Sequence, residues 1–214
     1  MKRTLLVSLG CLSAFVLWTV LIGLVDVQAI GPNGSSVGFA TVNGFIHRLT
    51  GVHMALYVIT DWLGLVPIAF ALGFAIFGLA QWIRRKSIRE VDSCILLLGG
   101  FYLVTMLLYL LFESVVINRR PVLIDGFLEA SYPSSTTLLV LCVMPTAMLQ
   151  FRSRIKTKGL RLAILIAIAV FIGFMVMGRL ISGVHWLSDI VGGVLLSMGL
   201  VLLYKYLYKK TPKP

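Results

Sequence analysis

The stretch GRLISGVHWLSDIVGG, residues 178–193, sets Arg179, His185 and Asp189 at the mouth of a long apolar run. His185 and Asp189 are four residues apart, so on a helix they share a face, and the carboxylate can hold one ring nitrogen and make the imidazole more basic. Arg179, and Arg120 within RRP at 119–121, supply guanidiniums, the side chain suited to forked contacts with phosphate oxygens. Between these two segments in the chain, YPSSTT at 132–137 reads as a helix start, with Pro133 ahead of Ser134, Ser135, Thr136 and Thr137. A helix N-terminus offers backbone N–H groups and the positive end of a dipole to an anion. Arginines, a helix start and a carboxylate-supported histidine together make a phosphate site. In it the histidine can act as nucleophile while the arginines hold the oxygens of the transferring phosphoryl group.

The elements that must position these residues are membrane helices. Of 214 residues, 59% are hydrophobic and 13% charged, which is not the composition of a soluble domain with a wrapped core. Apolar runs able to cross a bilayer of about 30 Å, at roughly 20 residues each, fall near 4–25, 55–83, 93–117, 137–151, 162–178 and 190–208. The expected fold is therefore all-α: one domain over 1–214, built as an integral membrane bundle of six helices. The fourth run is short and must borrow residues at one end. Lys2–Arg3, an apolar run and Val27-Gln28-Ala29 have the general form of a signal peptide, but the run is longer than a signal core. It reads instead as a retained first span.

The net charge of +11 is sorted by side. Lys2 and Arg3, the basic residues at 84–89, those at 152–161 and those at 205–213 make fifteen of the nineteen. All fifteen lie on one side of a six-span arrangement. The positive-inside rule then puts both termini in the cytoplasm and the loops bearing the candidate site on the extracytoplasmic side, as in a bacterial-type plasma membrane. The basic character thus reports topology and anionic-lipid contact rather than a nucleic-acid partner. The remaining four, Arg48, Arg119, Arg120 and Arg179, lie in the outer loops, where topology asks for none of them.

Other features read as structural. Cys11, Cys94 and Cys142 lie inside apolar spans with no metal-ligand spacing. Residues after Ser36, from Val37 through Phe45 and Ile46 to Leu49, suit a short helix in the membrane interface. His47 and His53, six apart, do not share a helical face. Nothing points to a metal, a cofactor or a nucleotide.

The segments RRP at 119–121, YPSSTT at 132–137 and GRLISGVHWLSD at 178–189 resemble the three signature segments of the type 2 phosphatidic acid phosphatase superfamily, which includes undecaprenyl-diphosphate phosphatases. The resemblance implies that His185 forms a phosphohistidine and Asp189 orients it, with Arg120, Arg179, Ser134 and the backbone after it, including Ser135, binding phosphate. Two positions depart from the pattern. Where the family's first segment has lysine, this chain has Glu113 or, one residue on, Ser114; Arg119 is the nearest substitute cation. Where the second segment has the histidine that protonates the leaving oxygen, this chain has Thr136. A threonine hydroxyl is far too weak an acid for that role, and losing a positioned acid costs about 10²–10⁴ in rate. The expected function is thus a phosphatase acting on a lipid phosphate or diphosphate, impaired toward substrates that need an acid. The alternative is a member that binds lipid phosphate without hydrolysing it, as a scaffold or lipid-handling protein. A transporter fits less well, because the ionisable residues gather at one surface rather than at the midplane.

Overall fold

A computed structural model describes residues 2–212. Among them are eight α-helices: α1 (Lys2–Ile22), α2 (Ala40–Thr50), α3 (Met54–Leu63), α4 (Leu65–Arg85), α5 (Ser93–Ser114), α6 (Ser135–Arg154), α7 (Lys158–Ile181) and α8 (Leu187–Lys210). Joined at Gly64, α3 and α4 make one apolar span, Met54–Arg85, so six helices are long and apolar enough to cross a membrane. These are the six that hydropathy predicts. The short fourth run becomes a full span because α6 extends both ways, from Ser135 to Arg154. Helical backbone bonds need no apolar side chain, and arginines at a span's end reach back to the interface.

The bundle is built around α8 and α6. About half of each is buried (56% and 50%), against 6% for the α3–α4 span, so the latter is the loosely held wall. Alongside α8 runs α1 in the opposite direction: Ser8 Oγ donates to the Gly199 carbonyl at 2.7 Å, and Trp18 Nε1 to the Ser188 carbonyl at 3.1 Å. Lipid tails give no hydrophobic drive for helices to meet, so small residues and hydroxyl hydrogen bonds bring the backbones together. The short helix expected after Ser36 is α2. It leaves Val42, Phe45 and Leu49 exposed while Asn43 turns inward, donating to Ser188 Oγ at 2.9 Å and accepting from Ser188 N at 3.1 Å.

Two ends of the bundle differ in chemistry. At the basic end, Asp92 ties three spans together. Its carboxylate accepts from Arg154 Nη1 at 3.1 Å and Gln81 Nε2 at 2.9 Å, and its N–H donates to Gln81 Oε1 at 2.9 Å. Burial alone would push this carboxyl up, but the bonds from Gln81 and Arg154 outweigh it and hold the group below the usual carboxylate range.

At the other end, the segment between α5 and α6 folds back on itself. Arg119 faces Ala130 and Ile124 faces Phe127 in isolated bridges, closed by a turn at Asp125 and Gly126, both with positive φ (48° and 83°). An Asp-Gly pair at such a turn matches the twist of the two arms it joins. Sequence reasoning treats 112–137 as a plain connection and misses this hairpin.

Candidate active site

The hairpin and the α7–α8 turn bring the charged residues together. Extended backbone points successive side chains to opposite faces, so Arg120 turns into the bundle and is 8% exposed, while Arg119 turns out. Arg119 donates from Nη1 to the Leu128 carbonyl at 2.9 Å and is exposed. The expectation that Arg119 substitutes for the missing lysine is corrected by this alternation: it does not reach the histidine's side of the hairpin.

His185 precedes α8 rather than riding on it. Trp186 is the N-cap residue, and its N–H donates to Asp189 Oδ2 at 2.9 Å. The turn that presents His185 is held from behind. His53 N donates to the Ser182 carbonyl at 2.9 Å, and His47 Nε2 lies 3.1 Å from the Gly183 carbonyl. Gly183 has φ +71°, and a Cβ there would overlap the Gly51 carbonyl. No side chain fits where these two segments cross. On the other flank, Tyr132 packs against Gly192, where a Cβ would meet its ring, and its hydroxyl lies 2.7 Å from Thr19 Oγ1.

Between His185 and Asp189 stands a residue that the sequence reading missed. Nδ1 of His185 is 3.9 Å from Asp189 Oδ2 but 3.1 Å from Ser131 Oγ, and that hydroxyl donates its proton to Asp189 Oδ2. The expected direct carboxylate–histidine bond is thus relayed through a serine, because His185 lies before the helix and not on its first turn. One hydroxyl has one proton. With that proton directed at Asp189, Ser131 accepts from Nδ1–H, and Nε2 is left unprotonated, as the ring's acceptor. Asp189 also accepts from Asn118 Nδ2 at 3.2 Å, so its oxygens are fully engaged. Nothing in the local sequence marks Ser131 or Asn118; only the hairpin's return brings them here.

Nε2 of His185 lies 3.3 Å from Arg179 Nη2. Both side chains are about 1% exposed. Burial first, then the positive charges of Arg120 and Arg179, hold the His185 imidazole well below its ordinary value, so it is neutral near pH 7.

Each guanidinium is partnered by a carboxylate. Arg179 Nη1 lies 3.5 Å from Asp61 Oδ1, and Arg120 Nε lies 3.0 Å from Glu129 Oε2. The Tyr57 ring stands beneath both, 5.0 Å from the Arg179 guanidinium carbon and 5.8 Å from that of Arg120. Tyr57 and Asp61 share a face of α3, four residues apart. Even so, Arg179 Nε and Arg120 Nη1 are buried without a hydrogen-bond partner, and the close contact of Arg120 Nε with Glu129 is an ion pair without hydrogen-bond alignment, an unfilled capacity that native interiors rarely leave.

These groups form the head of a cavity of about 1350 Å³ that runs between α4, α5 and α6. Ser135 and Thr136, on the first turn of α6, line it. Ser134 does not: it is fully buried, and its hydroxyl accepts from Thr137 Oγ1 at 3.0 Å. As the residue capping α6 it faces α8, where its N–H donates to the Asp189 carbonyl at 3.2 Å, which corrects its expected role on phosphate. Further along, the walls are apolar. Leu72, Leu103 and Met106 line the cavity and are also more than half exposed, so it opens sideways between α4 and α5.

The sequence profile of the PAP2 superfamily matches residues 98–213, a stretch holding Arg120, Ser131, Thr136, Arg179, His185 and Asp189. Comparison with curated proteins gives no match. Among solved structures, the chain is similar to the crystal structure of the first transmembrane PAP2 type phosphatidylglycerolphosphate phosphatase from Bacillus subtilis. The identity is 20% and the TM-score 0.53, over 95% of this chain and 96% of that one. At that identity the likeness is one of fold, a helical membrane bundle of the same extent. With the profile spanning more than half of the sequence, the chain belongs to the PAP2 superfamily.

Proposed function

We propose that the protein is a lipid phosphatase in which Nε2 of His185 attacks the phosphorus of a lipid phosphate or diphosphate, such as a polyprenyl diphosphate or a phosphatidic-acid-like lipid. The observation that carries this reading is the buried, neutral His185 whose unprotonated Nε2 accepts from the Arg179 guanidinium at 3.3 Å, the group that would hold the phosphoryl oxygens. Attack forms a P–N bond and breaks the bond from phosphorus to the leaving oxygen, which keeps the electron pair. The phosphoryl oxygens rest on Arg120, Arg179 and the free N–H groups that open α6. The imidazolium so formed keeps its Nδ1 proton on Ser131, and Asp189 behind it balances the charge. Water then attacks phosphorus, the P–N bond breaks, inorganic phosphate departs and His185 is regenerated.

Thr136 decides the substrate. With no acid at this position, a leaving alkoxide finds no proton, whereas a diphosphate expels a phosphate ester that already leaves as an anion. The protein is therefore expected to hydrolyse lipid diphosphates faster than matched monoesters. The charge sorting supports an extracytoplasmic site in a plasma membrane.

The test is phosphate release from a polyprenyl diphosphate by the purified protein in detergent, beside Thr136→His and His185→Ala. Release by the native protein that vanishes in His185→Ala is the expected result. Equal or faster turnover of the monoester overturns the diphosphate preference. Thr136 and the carboxylates on both arginines favour a second reading, a lipid-phosphate binder. Silence from the native protein with activity in Thr136→His would support that one.

A further inference from the structure

The head of the cavity is not simply basic. Two guanidiniums, Arg120 and Arg179, share it with three carboxylates: Asp61, Glu129 and Glu113. Asp61 and Glu129 keep side-chain exposures of 57% and 44%, so their oxygens stay open to an incoming ligand. Glu113 lies beside His185 and Ser135 in an adjoining crevice and is exposed too. Tyr57 and Tyr109 add aromatic faces.

A ligand carrying only phosphate would take the arginines from their carboxylates and set its own negative charge beside the half-exposed Asp61 and Glu129 and beside Glu113. Like charges so close repel, and partial exposure screens that repulsion only in part. The unfilled donors on Arg179 Nε and Arg120 Nη1 ask for an anion, and the carboxylates that it displaces ask for a cation. A ligand that brings both exchanges partners without stranding a charge.

We infer that the site is built for a zwitterionic lipid phosphate, one that carries an ammonium group close to its phosphate. The phosphate lies on Arg120 and Arg179, and the ammonium lies among Asp61, Glu113 and Glu129, against the faces of Tyr57 and Tyr109. The apolar cleft below takes the chain. This inference rests on the reading of Arg120 and Arg179 as the phosphate site and adds the second charge to it.

The experiment is titration calorimetry on the purified protein in detergent at pH 7, with decyl phosphate, 2-aminodecyl phosphate and its N-acetyl derivative, which keeps the shape and loses the charge. The amine is expected to bind at least ~10-fold tighter than the other two. In Glu113→Gln/Glu129→Gln that advantage is expected to shrink below about threefold. Equal binding of amine and N-acetyl derivative by the native protein overturns the inference, and this comparison needs no variant to fold. So does Mg²⁺ raising decyl phosphate to the affinity of the amine, which would make the missing cation a metal. O-phosphoethanolamine binding as tightly as 2-aminodecyl phosphate would overturn the lipid part. Binding of decyl phosphate that is lost in Arg179→Ala keeps the phosphate site standing even when the amine gives no advantage. Binding of none of the three ligands by the native protein removes both.

Discussion

At the scale of single residues, His185 carries a cost that the proposed chemistry requires. Burial and two neighbouring guanidiniums keep the folded imidazole neutral, whereas the unfolded chain takes up a proton near the ordinary value of 6.5. Below that value the unfolded state binds more protons than the folded one. Stability is therefore full above pH 6.5 and declines as pH falls toward the depressed folded value. Between pH 7 and 5 the unfolding midpoint in detergent should drop further for the native protein than for His185→Asn, and equal drops would show that the imidazole is not held neutral. Some of this neighbourhood is legible in the sequence. Arg120, Arg179, His185 and Asp189 stand out because charge in an apolar chain is expensive, and by that argument Asp61, inside the second span, is legible too. Ser131 and Asn118 are not: a serine or an asparagine in a loop has no spacing that announces a partner fifty residues or more away.

At the scale of elements, the six spans follow from hydropathy because a membrane leaves a chain few other ways to satisfy its backbone. The loops are harder. Alternation along the hairpin, not composition, decides that Arg120 enters the bundle and Arg119 leaves it. The Asp125-Gly126 turn between Ile124 and Phe127 is the one local sign of that hairpin. Two glycines with positive φ separate the positions that hold the site from those that only shape it. Gly126→Ala places its Cβ in open space and costs only the left-handed strain, about 1–2 kcal/mol. Gly183→Ala adds overlap with the Gly51 carbonyl and must move the turn that presents His185. We expect phosphate release to fall at least ~10-fold in Gly183→Ala and by no more than a few-fold in Gly126→Ala, with unchanged helical circular dichroism in both. Comparable losses in the two would mean that the Gly51–Gly183 crossing does not position His185.

At the scale of the whole molecule, the antiparallel pairing of α1 with α8 puts Lys2 and Lys210 at the same end, opposite the cavity head. The proposed sidedness rests on the sorting of basic residues to that end. With Cys11, Cys94 and Cys142 replaced, Ser36→Cys should react with an impermeant maleimide on intact cells, and Lys210→Cys only after permeabilisation. The reverse pattern would invert the topology and put the phosphate chemistry in the cytoplasm.

The same end-to-end contrast governs how a substrate arrives. Asp92 pins α4, α5 and α6 at the basic end, while toward the opposite end the cleft between α4 and α5 gives onto the bilayer through Leu72, Leu103 and Met106. A lipid entering there never leaves its leaflet, so the protein meets its substrate in two dimensions. Its working concentration is a mole fraction, set by how crowded the leaflet is with other lipids and indifferent to the volume of water outside.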